Sequence, residues 1–97
     1  MNSKLQSERL DRLFSGILSL SSVEQCYDFF EDLCTVPELK AISQRFHVAE
    51  LLLSGKVYND IVKETGASTA TISRVNRSLT LGSDGYKNVI ETINGSK

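Results

Sequence analysis

Apolar positions recur along this chain with the period of an α-helix, and no stretch alternates as a strand would. From about Lys4 to Ser19, Leu5, Leu10, Leu13, Phe14, Ile17 and Leu18 fall at helical spacing with Glu8, Arg9, Asp11 and Arg12 between them. This is an amphipathic helix whose stripe needs either the chain's own core or a partner subunit. Ser21-Ser22-Val23-Glu24 reads as a capping box opening a second helix, with Val23, Cys26, Tyr27, Phe30, Leu33 and Cys34 on its apolar side. Thr35-Val36-Pro37-Glu38 is another box, with Pro37 in the first turn where a missing N–H costs nothing. It predicts a long third helix lined by Leu39, Ile42, Phe46, Ala49, Leu52 and Leu53 and stopped by Gly55.

Lys56 to Leu79 then reads as two short helices joined at Gly66, where a glycine can take positive φ and let the chain turn sharply. Val57 or Tyr58 sits at the first N-cap, a poor choice that Asp60 partly offsets through the helix dipole, whereas Ser68 is a good cap for the second helix. Thr80 to Gly85 is a loop, Ser83 or Asp84 caps a last helix carrying Tyr86, Val89, Ile90 and Ile93, and Asn94 to Lys97 is a tail. The expected fold is all-α, with about six helices in a single domain over residues 1–97. Residues 1–55 supply core and dimerisation helices, 56–79 a helix-turn-helix, and 80–97 a loop and C-terminal helix.

The second helix of that motif carries the candidate chemistry. Ser68, Ile72, Val75 and Leu79 fall along one side and Ala70, Ser73, Arg74 and Arg77 along the other, with no acid from Gly66 to Thr80. Small residues let a backbone come close to DNA, hydroxyls reach base edges or phosphates, and arginines neutralise charge. The pattern is that of a helix-turn-helix entering the major groove. Phosphate contacts are expected from Lys56, Lys63, Arg74, Arg77 and the helix N-terminus at Ser68, and base contacts from Thr69, Ala70 and Ser73. The alternative is a protein-interaction module that keeps the motif as a docking surface without specific DNA binding.

Composition narrows the field. Across 97 residues, 40% are hydrophobic and 11 basic residues meet 12 acidic ones for a net charge of −1. The pI of about 5.8 argues against indiscriminate polyanion binding. Lys56, Lys63, Arg74 and Arg77 against Asp60 and Glu64 nevertheless leave the 56–79 segment at +2, so DNA binding is expected to be local and salt-dependent. Cys26 and Cys34, read as eight positions apart on one helix, lie about 12 Å apart along its axis and cannot bridge within it. They read as small core residues of a reducing cytoplasm, and neither has a second Cys or His at metal-ligand spacing. The polar N-terminus excludes a signal peptide, and no apolar run spans a membrane, so the expected place is the cytoplasm. His47, the only histidine, has no acid and nucleophile arranged around it and reads as a surface or boundary residue. No paired carboxylates, metal cluster, activated nucleophile or phosphate-cradling glycine loop points to an enzyme.

The run from Cys34 to Leu79 resembles the Trp repressor family, in its YerC/YecD-type branch. The resemblance rests on Thr35 and Glu38, Ala41, Arg45, the Glu-Leu-Leu-Leu-x-Gly exit from Glu50 to Gly55, and Gly-Ala-x-x-Ala-Thr-Ile-Ser-Arg from Gly66 to Arg74, closing with Ser78 and Leu79. It implies an intertwined homodimer that sets two recognition helices about 34 Å apart on double-stranded DNA, and a transcriptional regulator that represses. It also implies a candidate pocket for L-tryptophan or a related small effector, with Arg45 and Arg74 flanking the indole, Thr71 and Ser78 lining it, and Thr35 near the amino group. This chain departs from the pattern at the pocket floor, with Val75 where the repressor has a glycine and Ala49 where it has a valine. An isopropyl group at Val75 occupies space the indole needs, so tryptophan binding is expected to be lost or altered. The chain is also one residue shorter between Gly55 and Gly66.

Overall fold

Hydroxyl side chains cap the starts of four of the helices, at Ser7, Ser22, Thr35 and Ser68. The computed structural model describes residues 6–95, which form six α-helices and no strand. Ser7 accepts the N–H of Leu10, so α1 runs Glu8–Leu18, several residues later than the hydrophobic pattern alone suggests. Lys4 and Leu5, read above into that helix, lie outside the described residues. The capping box of α2 (Val23–Leu33) is shifted by one residue from the expected one. Ser22 rather than Ser21 caps it, accepting the N–H of Gln25, and Gln25 Oε1 rather than Glu24 reaches back to the N–H of Ser21 at 2.7 Å. Cys34 sits in extended conformation at the C-cap, so the two free cysteines do not share the helix.

The box before α3 (Val36–Leu53) is as expected: Thr35 Oγ1 accepts the N–H of Glu38, and Glu38 Oε1 accepts the N–H of Thr35 at 2.8 Å. Those bonds favour the carboxylate and hold the Glu38 carboxyl below its ordinary range, the Thr35 backbone contributing most. At the other end Lys56 and Gly55 donate their N–H groups to the Leu51 and Leu52 carbonyls, closing the helix. The remaining helices are α4 (Tyr58–Thr65), α5 (Thr69–Leu81) and α6 (Gly85–Ile93). α5 runs on past Leu79 to Leu81, where the Gly82 N–H closes on the Ser78 carbonyl, so the expected loop begins only at Gly82. Asp84 stands at the N-cap of α6 with φ 62°, and its side chain makes no capping bond.

The chain divides into two compact units, one up to Leu39 and one from Lys40, the division falling inside α3. In the first, none of the described residues is fully buried. Leu10, Leu13, Ile17, Cys26, Phe29 and Phe30 are half-buried, and the Phe29 and Phe30 rings meet edge to face at 5.2 Å. Phe14, Leu18, Val23, Tyr27, Leu33 and Val36 are exposed, Leu18 by 84%.

The second unit contains the core: Val48 and Ala49 from α3, Ile61 from α4, Ala67 from the turn, Ile72 and Val75 from α5, and Ile90 from α6. Phe46, Leu51, Leu52, Tyr58, Val62, Leu79 and Tyr86 pack around them. Val48 is absent from the stripe read off the sequence, whereas Ile42 and Leu53 of that stripe are exposed. A helix met by side chains from three others buries a wider and differently aimed arc than a single stripe. No helix among the described residues is long and apolar enough to cross a membrane.

Candidate nucleic-acid interface

α4 and α5 pack on each other across a turn built by four consecutive residues. Thr65 donates from Oγ1 to the Ile61 carbonyl at 2.7 Å and accepts the N–H of Ala67 at 3.0 Å. Gly66 takes the left-handed conformation at φ 73° and returns its N–H to the Val62 carbonyl. Ala67 is buried to 2% and pins the turn to the core. Ser68 then caps α5, accepting the N–H of Thr71 at 3.1 Å, while its hydroxyl also donates to Thr71 Oγ1. Glycine is required at residue 66 because a left-handed residue with a Cβ is strained even where space is open, as it is here.

Three of the four residues read along the packing side of α5 face inward, whereas Ser68, read with them, is exposed at the N-cap. Ile72 is fully buried, Val75 is 2% exposed and Leu79 is half-buried, which anchors one side. Thr69, Ala70, Ser73, Arg74 and Arg77 are all exposed on the rest of the helix. Lys56, just before α4, and Lys63 on α4 are also exposed. Among the described residues none of these four cations is held by a carboxylate, which leaves their charge available. The uncapped N-terminus of α4 at Val57 and the capped N-terminus of α5 at Ser68 present their first-turn N–H groups.

The candidate ligand residues are placed less uniformly. Arg45, Arg74 and Ser78 are exposed, and Thr71 is half-buried against Ser68. Thr35 belongs to the other unit, where its hydroxyl is engaged in capping α3. Val75 and Ala49 lie in the same buried cluster, at 2% and 0% exposure.

Sequence reading missed the contacts that tie α3 to α4. Gln44 Nε2 donates to the Thr65 carbonyl at 3.2 Å. His47, read as a surface or boundary residue, is exposed, and an acid stands near each ring nitrogen: Nδ1 lies 3.7 Å from Glu50 Oε1 and Nε2 3.5 Å from Glu64 Oε2. Glu50, three residues on, was visible as a helical neighbour. Glu64 becomes one only through the packing of α4 on α3.

The family model for the Trp repressor protein matches residues 8–94. The chain belongs to the Trp repressor family. Its sequence is 50% identical to YerC of Bacillus subtilis, itself uncharacterized, over 90 residues that cover 93% of this chain and 86% of that one. Among solved structures it is similar to a TrpR-like protein of Eubacterium eligens, with TM-score 0.92 and 51% identity over 99% of both chains. A Staphylococcus aureus protein provisionally described as a Trp repressor superposes with TM-score 0.92 at 49% identity, over 97% of this chain and 95% of that one. The all-α architecture of these Trp repressor relatives is that of the six helices described above.

Proposed function

We propose that the protein is a homodimeric, sequence-specific DNA-binding regulator of transcription that acts as a repressor in the cytoplasm. One observation carries the reading: α5 anchors Ile72 and Val75 in the core while leaving Thr69, Ala70, Ser73, Arg74 and Arg77 exposed on an acid-free surface. In this reading Lys56, Lys63, Arg74 and Arg77 neutralise phosphates, the Ser68 end of α5 meets a further phosphate through its N–H groups, and Thr69, Ala70 and Ser73 face base edges. Membership of a regulator family supports it, and favours a non-enzymatic role. The dimer is supported by the first unit, where Phe14, Leu18, Val23 and Tyr27 stand exposed on helices with no fully buried residue; apolar surface of that kind is covered by a partner. A second copy of the same chain also supplies the second recognition helix that a palindromic site requires.

Fluorescence polarisation against a panel of duplexes tests the assignment. Arg77→Ala should weaken binding to every sequence and lower the salt slope by about one, whereas Ser73→Ala should change the preference among sequences. Equal behaviour of the two variants overturns it. A protein that neither binds heparin nor is competed by random duplex is a protein-docking module instead.

The regulator, in this reading, does not use L-tryptophan as its effector. Val75 and Ala49 are buried in one cluster, so the isopropyl group of Val75 fills volume that the resemblance assigns to an indole. Calorimetric titration with L-tryptophan should give no tight binding, and a micromolar or tighter complex would refute this part.

A further inference from the structure

Two side chains one turn apart on α3 hold consecutive residues at the end of α4. The Gln44 amide occupies the Thr65 carbonyl, one of the groups a helix leaves without an internal partner at its C-terminus. The His47 ring stands between two carboxylates, Glu50 of its own helix and Glu64 of α4. From Thr65 the chain needs only Gly66 and Ala67 to reach Ser68, the cap of α5, and the Thr65 hydroxyl itself accepts the Ala67 N–H. Whatever fixes Glu64 and Thr65 against α3 therefore fixes the point from which α5 sets out.

We propose that Gln44 and His47 are positioning residues for the recognition helix, and that the His47 half of this grip tightens on protonation and makes the aim of α5 depend on pH. This rests on the DNA-binding reading above. At 3.5 and 3.7 Å a neutral imidazole makes no short hydrogen bond to either carboxylate and carries no charge to attract them. Protonated, both nitrogens carry protons and the ring bears a positive charge between two negative ones, one of them on the neighbouring helix. Glu50 adds attraction without linking helices; Glu64 is the link. The other charged groups beside these residues in sequence are Arg45 on α3 and Lys63 on α4, and neither forms an ion pair with Glu50 or Glu64. The Gln44 bond is uncharged and works at every pH. His47 and Glu64 are about half-exposed, so solvent screens the pair and the expected effect on DNA affinity is about two- to fivefold.

The test compares wild type, His47→Gln, Glu64→Gln and Gln44→Met on a duplex recovered from a random pool, at about pH 6 and about pH 8.5. In the free proteins the Thr65, Gly66 and Ala67 amides are followed by NMR across the same range. Wild type should bind about two- to fivefold tighter at the lower pH, His47→Gln and Glu64→Gln should lose that ratio, and Gln44→Met should weaken binding by a similar factor at both pH values. The salt slope should be unchanged by His47→Gln, because a positioning residue releases no counterion. If Glu64→Gln keeps the pH ratio, His47 acts directly on phosphate and the proposal falls. If wild type binds no duplex at either pH, the DNA reading fails and the amides decide the grip alone. Shifts that vanish in His47→Gln uphold it, and amides that stay still overturn it.

Discussion

Glu38 illustrates how much one residue can do from an exposed position. Its carboxylate accepts the Thr35 N–H while its own N–H is taken by the Thr35 hydroxyl, so two of the free donors at the start of α3 are satisfied reciprocally. The Thr35 hydrogen bonds depress its folded-state pKa below the unfolded one. The stabilisation is therefore present above the unfolded value and is lost as pH falls through the lower folded value. Glu38→Gln keeps an acceptor in place but cannot titrate. Thermal melts taken from about pH 6 down to about pH 2 should show a flatter acid limb for the variant than for wild type. Glu38 and Ser68 were legible from sequence because capping is local. The cap of α2 was legible only to within one residue, since Ser21 and Ser22 are equally good caps and Gln25 and Glu24 equally long arms, and the chain uses Ser22 with Gln25.

At the scale of the element, α5 carries core residues on one side and, on another, the exposed residues proposed to meet DNA. Ile72 is fully buried among Val48, Ile61 and Val75, so Ile72→Ala should cost about 2–5 kcal/mol of unfolding free energy, as a large-to-small change in a tight core does. Ser73, its exposed neighbour, is one step round the helix; Ser73→Ala should stay within about 0.5 kcal/mol of wild type in the same urea titration. A large cost at Ser73 would mean that the surface assigned to DNA is structural. The two-sided character of α5 was legible because 3.6-residue periodicity is a property of the helix itself. For α3 the same reasoning misplaced Val48, because its buried arc is decided by which helices pack there and from what direction.

For the whole molecule, charge divides along the chain. Up to Leu39 there are seven acidic residues against three basic, and from Lys40 eight basic against five acidic, so an acidic pI coexists with a cationic helix-turn-helix segment. Exposed apolar side chains occur in both parts, but only the first has no fully buried residue among those described, and its Leu18, 84% exposed, is the most exposed of them. Within one chain Leu18→Glu disturbs no buried contact. On the dimer proposed above, it should nonetheless give a monomer in sedimentation equilibrium and, with the second copy of α5 lost, weaken binding to a palindromic duplex far more than to a half-site. An unchanged dimer would move the interface elsewhere.

Local chemistry in the sequence by itself determined the helix count, the Thr35 and Ser68 caps, the Gly66 turn and the inward side of α5 at Ile72, Val75 and Leu79, because each depends on residues within about one or two turns of each other. Tertiary structure alone decided that Val48 is core, that Gln44 meets Thr65, and that Glu64 comes to the His47 ring. Those partners are 17 to 21 residues apart, and no periodicity within a helix records how a neighbouring helix will lie against it.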